Sequence, residues 1–203
     1  MSLELYDRAL IAKFNKWTYK TNIHVYGPDE TKQLVEMLAD TSGDKPMTLP
    51  ILSISRSSGY EIINMNKRVL TYDGLMTESN MRHSISLNAI PINIVYQVDV
   101  WTRFQKEADE YMRNLIFNII NYPTLQIDIP YNKSNLVHNS SIRLVSSVVD
   151  SSGSTKLAPH QFTKLSIGIS IDDAYLWDAR VRNNLILVDE LPVETEYTEY
   201  EEI

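Results

Sequence analysis

The residues able to do chemistry in this chain are few and scattered. His24, His83, His138 and His160 stand alone, and no pair has the spacing by which a helix offers two imidazoles to zinc. Each is expected on a surface or in a loop. Asp172-Asp173 ends an apolar alternation, and carboxylates at strand ends can hold a metal or move a proton, here with Asp99. Turn formation and capping account for the same two residues. Gly168-Ile169-Ser170-Ile171-Asp172 begins like a nucleophile elbow but lacks the second glycine and sits inside a strand pattern, so Ser170 is expected in a sheet. There is no Gly-Lys dipeptide for a phosphate loop and no glycine pair at dinucleotide-binding spacing. With no cysteine, thiol nucleophiles, zinc–thiolate sites, iron–sulfur clusters and disulfides are removed together. Asn132-Lys133-Ser134 and Asn139-Ser140-Ser141 match glycosylation acceptors, but the first residues do not read as a secretory signal, so these are expected to be chance matches. The expectation is a protein without catalytic, cofactor or metal residues; a small metal-dependent hydrolase using Asp99, Asp172 or His138 is the alternative.

Charge directs attention elsewhere. The 203 residues carry a net charge of −7, and seven acids with no base fall between Asp189 and Ile203, leaving nineteen acids against nineteen bases in residues 1–188. A neutral body gives no reason to expect specific nucleic-acid binding, which needs a basic face. No apolar run approaches the length that spans a bilayer, so no membrane partner is expected. The acidic tail reads either as a solvated terminus or as an arm that orders on a partner. Val193, Thr195, Tyr197, Thr198 and Tyr200, strand-favouring residues among the acids, argue for the arm.

The elements that would position these groups follow from periodicity. Leu3, Tyr6, Leu10, Phe14 and Trp17 recur every three or four residues and predict a helix over 2–17. A short strand over 22–26 precedes a Gly27-Pro28-Asp29 turn, with Asp29 expected to cap a second helix carrying Leu34, Met37 and Leu38. After a loop over 40–46, residues 48–55 read as a strand. Residues 56–86 form a long hairpin or excursion, punctuated by turn residues yet rich in apolar ones, suited to packing on its own domain or on a neighbour. Alternation over 92–101 predicts a long, half-buried strand, and Thr102-Arg103-Phe104-Gln105 fits a capping box opening a helix that stops at Tyr122-Pro123. Leu115, Ile116, Phe117, Ile119 and Ile120 make the second half of that helix apolar on most sides. It must be deeply buried or covered by another subunit. Strands are expected over 125–129, 142–149, 165–171 and 185–188. The sum is a single α+β domain over 1–188, a mainly antiparallel sheet with helices packed on one face, followed by an acidic C-terminal arm over 189–203.

One stretch is familiar. Asn88-Ala89-Ile90-Pro91-Ile92-Asn93-Ile94 through Tyr96-Gln97-Val98-Asp99-Val100-Trp101, into a helix with Glu107-Ala108-Asp109 and Leu115-Ile116-Phe117 and ending at Tyr122-Pro123, resembles tailed-bacteriophage neck proteins of the tail terminator and tail-completion (sheath-stabiliser) kind. Upstream, Leu49-Pro50-Ile51-Leu52-Ser53-Ile54, Tyr60-Glu61 and Asn64-Met65-Asn66-Lys67-Arg68 are similar to the strand and excursion that precede this unit in contractile-tail members. The resemblance covers roughly residues 48–130. It implies a structural virion protein, forming a ring, usually hexameric, that caps the tail tube and supports head–tail joining. The implied partners are other copies of the chain, tail tube and sheath proteins, and head connector proteins. The implied location is the neck end of the tail, after assembly in the host cytoplasm. Another virion connector or a baseplate component is the closest alternative. Candidate interface residues are Arg68, Tyr72, Trp101, Leu115, Ile116, Phe117, Ile120, Tyr197 and Tyr200.

Overall fold

The computed structural model describes residues 2–18, 21, 23–31, 49–57, 59–63, 68–73, 84–131, 134–152 and 162–177. Helix α1 (Ser2–Thr18) lays Tyr6, Leu10 and Phe14, one face at helical spacing, into the core. Strand β1 (His24–Tyr26) follows, and a helical turn then opens at Pro28. Gly27, and not Asp29, occupies the capping position: its carbonyl accepts the Thr31 N–H at 2.8 Å, and its own N–H donates to Glu30 Oε2 at 3.0 Å. Asp29 lies inside the first turn because Pro28, with its fixed φ, already starts the helix. The expected apolar face at Leu34, Met37 and Leu38 and the loop over 40–46 lie outside the described residues.

Among the described residues nine strands form one sheet in the order β1-β2-β5-β9-β7-β6. Strands β2 (Ile51–Arg56), β3 (Glu61–Ile62) and β4 (Arg68–Asp73) pair end to end along one edge of β5 (Ser84–Thr102). Its other edge pairs with β9 (Thr163–Trp177). Strands β6 (Thr124–Tyr131) and β7 (Ser134–Leu144) form a hairpin beyond β9, and β8 (Val149–Asp150) adds a short ladder to β9. The sheet is mainly antiparallel, as expected, but not purely so: seven of the eight strand pairs described are antiparallel, and β1 runs parallel to β2. Both terminal strands of the path, β1 and β6, touch α1, so the sheet curls about that helix.

Alternation decides what the sheet buries. Leu52 and Ile54, the even-numbered residues from Ile92 to Val100, and Leu165, Ile167, Ile169 and Ile171 share one core with α1 and with helix α2 (Gln105–Asn121). Three local expectations are corrected. Strand β5 is nearly twice the length read from its alternation, extending back to Ser84. Thr102 stays in the ladder opposite Thr163 and spends its hydroxyl on the Phe104 carbonyl, so Phe104 is the N-cap and no side-chain box forms. The strand expected over 142–149 breaks after Leu144, where Ser146 Oγ accepts the Gly168 N–H at 2.6 Å in place of a ladder bond. A Cβ on Gly168 would come within 2.8 Å of that hydroxyl, which is why glycine stands there. The strand expected over 185–188 and the arm over 189–203 lie outside the described residues.

Candidate assembly surface

The carboxylates and histidine that could have made a catalytic site are separated. Asp99 on β5 forms a buried ion pair with Lys164, 3.1 Å, whose ammonium also lies 4.7 Å over the Trp101 ring. Asp172 instead holds Arg143 through two nitrogens at 3.0–3.3 Å on the exposed surface. Asp99 is opposite Ser166, six residues along β9 from Asp172, so the two carboxylates sit roughly 20 Å apart. His138 bonds the Asp173 carbonyl at 2.8 Å and packs edge-on against Tyr175 and Trp177. Ser170 is a buried sheet residue. No three metal-ligating side chains converge among the described residues.

Asp172 and Asp173 have another task. Between Ile92 and Ile94 the β5–β9 register shifts, and the two aspartates form the bulge, with Asp173 at φ 57°. Its carbonyl, turned out of the ladder, accepts from Ser140 Oγ and from His138. The bulge re-aims the end of β9 toward α1, where the Tyr6 hydroxyl accepts the Tyr175 N–H at 2.7 Å and the Tyr6 ring stacks on Trp177.

One buried polar cluster fixes α1 to the root of the excursion. Asp7 accepts from Tyr96 at 2.7 Å and from Arg56 at 3.0 Å, at the end of β2. Burial lifts the Asp7 carboxyl above its ordinary value, only partly offset by the Tyr96 hydrogen bond and the Arg56 charge; Asp29 and Glu4 push it further up. Burial and the neighbouring Asp7 push the Tyr96 phenol up as well, so it remains a donor.

The surface that stands out is apolar. On α2, Ala108, Met112, Leu115 and Ile119 form the buried stripe. At about 100° per residue Phe117 lies about 170° from the centre of that stripe and Ile120 about 110° from it. They are 59% and 61% exposed. Phe104 and Tyr122, flanking the helix, are also exposed. Phe117 is a ridge between two hollows. One, of about 310 Å³, opens toward Phe14, Trp17 and Ile23; the other, of about 260 Å³, opens toward Ile116, Val148 and Leu165. A second apolar group, Tyr60, Ile62, Ile63 and Val69, is exposed where β3 and β4 flank β5.

The interface candidates therefore divide. Trp101 and Leu115 are corrected: they are 2% and 5% exposed and serve this chain's own packing. Trp101 packs with Ile51 and Phe162 and donates to Ser53, while Leu115 belongs to the stripe facing the sheet. Ile116 is half-buried against the core. Phe117 and Ile120 face solvent, and Arg68 is exposed on β4. Tyr72 lies on β4, its side chain outside the described residues, as are Tyr197 and Tyr200 entirely. Sequence reasoning missed Phe104 and Tyr122, although their places just outside the helix ends, with no core position to occupy, were a readable signal. No helix among the described residues is long and apolar enough to cross a membrane. No protein-family model matches the chain, and no curated protein matches it.

Proposed function

We propose that this chain is a structural subunit of a phage tail neck, acting as a tail terminator or tail-completion (sheath-stabilising) protein that closes into a homo-oligomeric ring, hexameric by the family resemblance. On this reading it works by assembly, without catalysis or cofactor, in the virion at the neck end of the tail. It caps the tube, meets tube and sheath proteins on one side and head connector proteins on the other. Its design is a curled sheet with helices on one face and β4 paired along β5, to which the reading adds the acidic residues 189–203 as a partner-binding arm.

The observation that carries the proposal is the pair Phe117 and Ile120, apolar and exposed on the far side of a helix whose core stripe is already complete. Exposed apolar ridges flanked by hollows are characteristic of protein–protein contact. Together with the distant apolar group on β3 and β4, this gives each subunit two unlike surfaces, which a head-to-tail ring needs. Native mass spectrometry of the purified chain, with imaging of particle necks, tests it. A closed ring supports the reading; a single copy per neck overturns it.

A further inference from the structure

A channel runs between α1 and β6. Strand β6 ends the sheet path and has a strand neighbour on one side only among the described residues, β7. Alongside its open edge runs a second stripe of α1, Leu5, Arg8, Ala9, Ala12, Lys13 and Lys16, distinct from the Tyr6–Leu10–Phe14 core face. Together they enclose a channel of about 660 Å³ with a floor of Leu5, Ala9, Ala12 and Leu125. Three cations line it against one acid, Asp128; Arg8 is engaged by Glu4, and Asp128 accepts from Gln126. Lys13 reaches the strand edge itself, donating to the Thr124 carbonyl at 2.6 Å. Burial and the neighbouring Lys16 charge hold the Lys13 ammonium below its ordinary value, a strain that an anion beside it would relieve.

An open strand edge recognises an extended segment through main-chain hydrogen bonds, and a basic, small-residue wall selects one with acidic and apolar residues in alternation. The chain carries such a segment: Val193, Thr195 and Tyr197 alternate with Glu194 and Glu196, and Glu199, Glu201 and Glu202 follow with no base. Residues 193–200 equal β6 in length, eight residues each. We infer that the α1–β6 channel receives residues 193–200 of a neighbouring copy as an added strand. The inference rests on the ring reading in one respect: a head-to-tail ring needs unlike, mutually complementary patches on each subunit, and the acidic segment and the basic channel are such a pair. It gives Tyr197 a place on the acceptor and makes the tail the link between subunits.

The test is a charge exchange in the full chain. One variant carries Glu194→Lys, Glu196→Lys and Glu199→Lys in the tail; the other carries Lys13→Glu and Lys16→Glu in the channel. Each alone sets like charge against like, whereas their mixture restores opposite charge only between copies. Hydrogen exchange of residues 193–200 and 124–131, with subunit counting by native mass spectrometry, reads the outcome. The wild type should protect 193–200 by at least about tenfold relative to an unstructured segment. Each single variant should lose that protection, and the mixture should regain it. The tail variant leaves the body untouched, so its loss cannot come from misfolding. A wild-type ring whose tail exchanges freely overturns this inference and leaves the ring reading standing; a wild-type monomer overturns the ring reading instead. Protection in a wild-type monomer, or none regained on mixing, places the tail on its own chain or elsewhere and overturns the assignment to a neighbour.

Discussion

Phe117→Asp separates what the residue does for the fold from what it does for assembly. A phenylalanine side chain offers on the order of 200 Å². With 59% of Phe117 exposed, about 80 Å² is covered within the chain and about 120 Å² is open. At about 25 cal/mol per Å² the covered part is worth about 2 kcal/mol to the fold and the open part about 3 kcal/mol to an interface. A loss of about 2 kcal/mol lies inside the usual margin of stability for a domain, and the new carboxylate can stay hydrated in the free subunit. In the proposed ring it cannot. There the lost contact is joined by a desolvated, unpaired charge costing several kcal/mol more, repeated at every interface of a closed ring. Thermal melting followed by circular dichroism should therefore show a folded protein with a lowered midpoint, while native mass spectrometry shows the ring gone. A ring that persists with aspartate at this position would remove Phe117 from the interface. Collapse of the fold itself would show that the ridge belongs to the core.

Three further expectations concern the body. The raised Asp7 carboxyl means that the native state holds that proton more readily than the unfolded chain. Its contribution to stability is complete below the unfolded value, near about 3.9, and is lost as pH rises through the folded one. Asp7→Asn should remove that fall from a stability–pH curve measured by urea unfolding, and unchanged curves would show that another group carries it. Lys164→Met should cost about 3 kcal/mol by leaving Asp99 buried with the Gln97 amide as its remaining side-chain partner among the described residues, and adding Asp99→Asn should recover part of the loss; strictly additive costs would refute the coupling. At Asp173, with φ 57°, glycine should hold or raise the melting midpoint and valine should lower stability by about 1–2 kcal/mol. Equal melting of the two variants would mean that the bulge does not impose that backbone.

How much of this was legible depended on whether a residue's surroundings are local. The alternation of Ile92, Ile94, Tyr96, Val98 and Val100 declared half of β5 because each side chain meets the same layer at every second residue. The other half did not alternate cleanly: Leu87 and Ala89 are buried, then Pro91 and Ile92 are both buried, next to the bulge on β9. Pro91 made the strand harder to read, and its tolerance there has a spatial cause. It sits where β4 has stopped pairing at Ala89 and β3 begins at Ile92, so its missing N–H interrupts no ladder on that edge. The parallel β1–β2 pair was hidden by the long segment between them, which alternation cannot bridge. The Asp7–Arg56–Tyr96 cluster joins residues up to 89 positions apart and left no local trace.

The candidate surface was half legible for a related reason. The sequence counts five apolar residues late in α2, and it is the sheet that decides which of them a single chain can cover. A curled sheet meets one stripe of a helix, and α1 and the segment around Val148 reach only its shoulders. Leu115 and Ile119 fall on the stripe and Ile116 on a shoulder, so Leu115 packs within this chain and only lines the floor of the hollow beside Phe117. Phe117, about 170° away, points away from the sheet and stays 59% exposed, with α1 and the segment around Val148 meeting only the hollows beside it. Its neighbour Asn118 shows that a polar residue is tolerated one position on, so helix propensity does not demand an aromatic there. Covering the open area of Phe117 is the use that the ring proposal gives it. On the proposed ring reading the described residues leave Phe117 and Ile120 for a neighbouring copy to cover, and that reading stands or falls on whether the ring is lost while the fold is kept when Phe117 is replaced by aspartate.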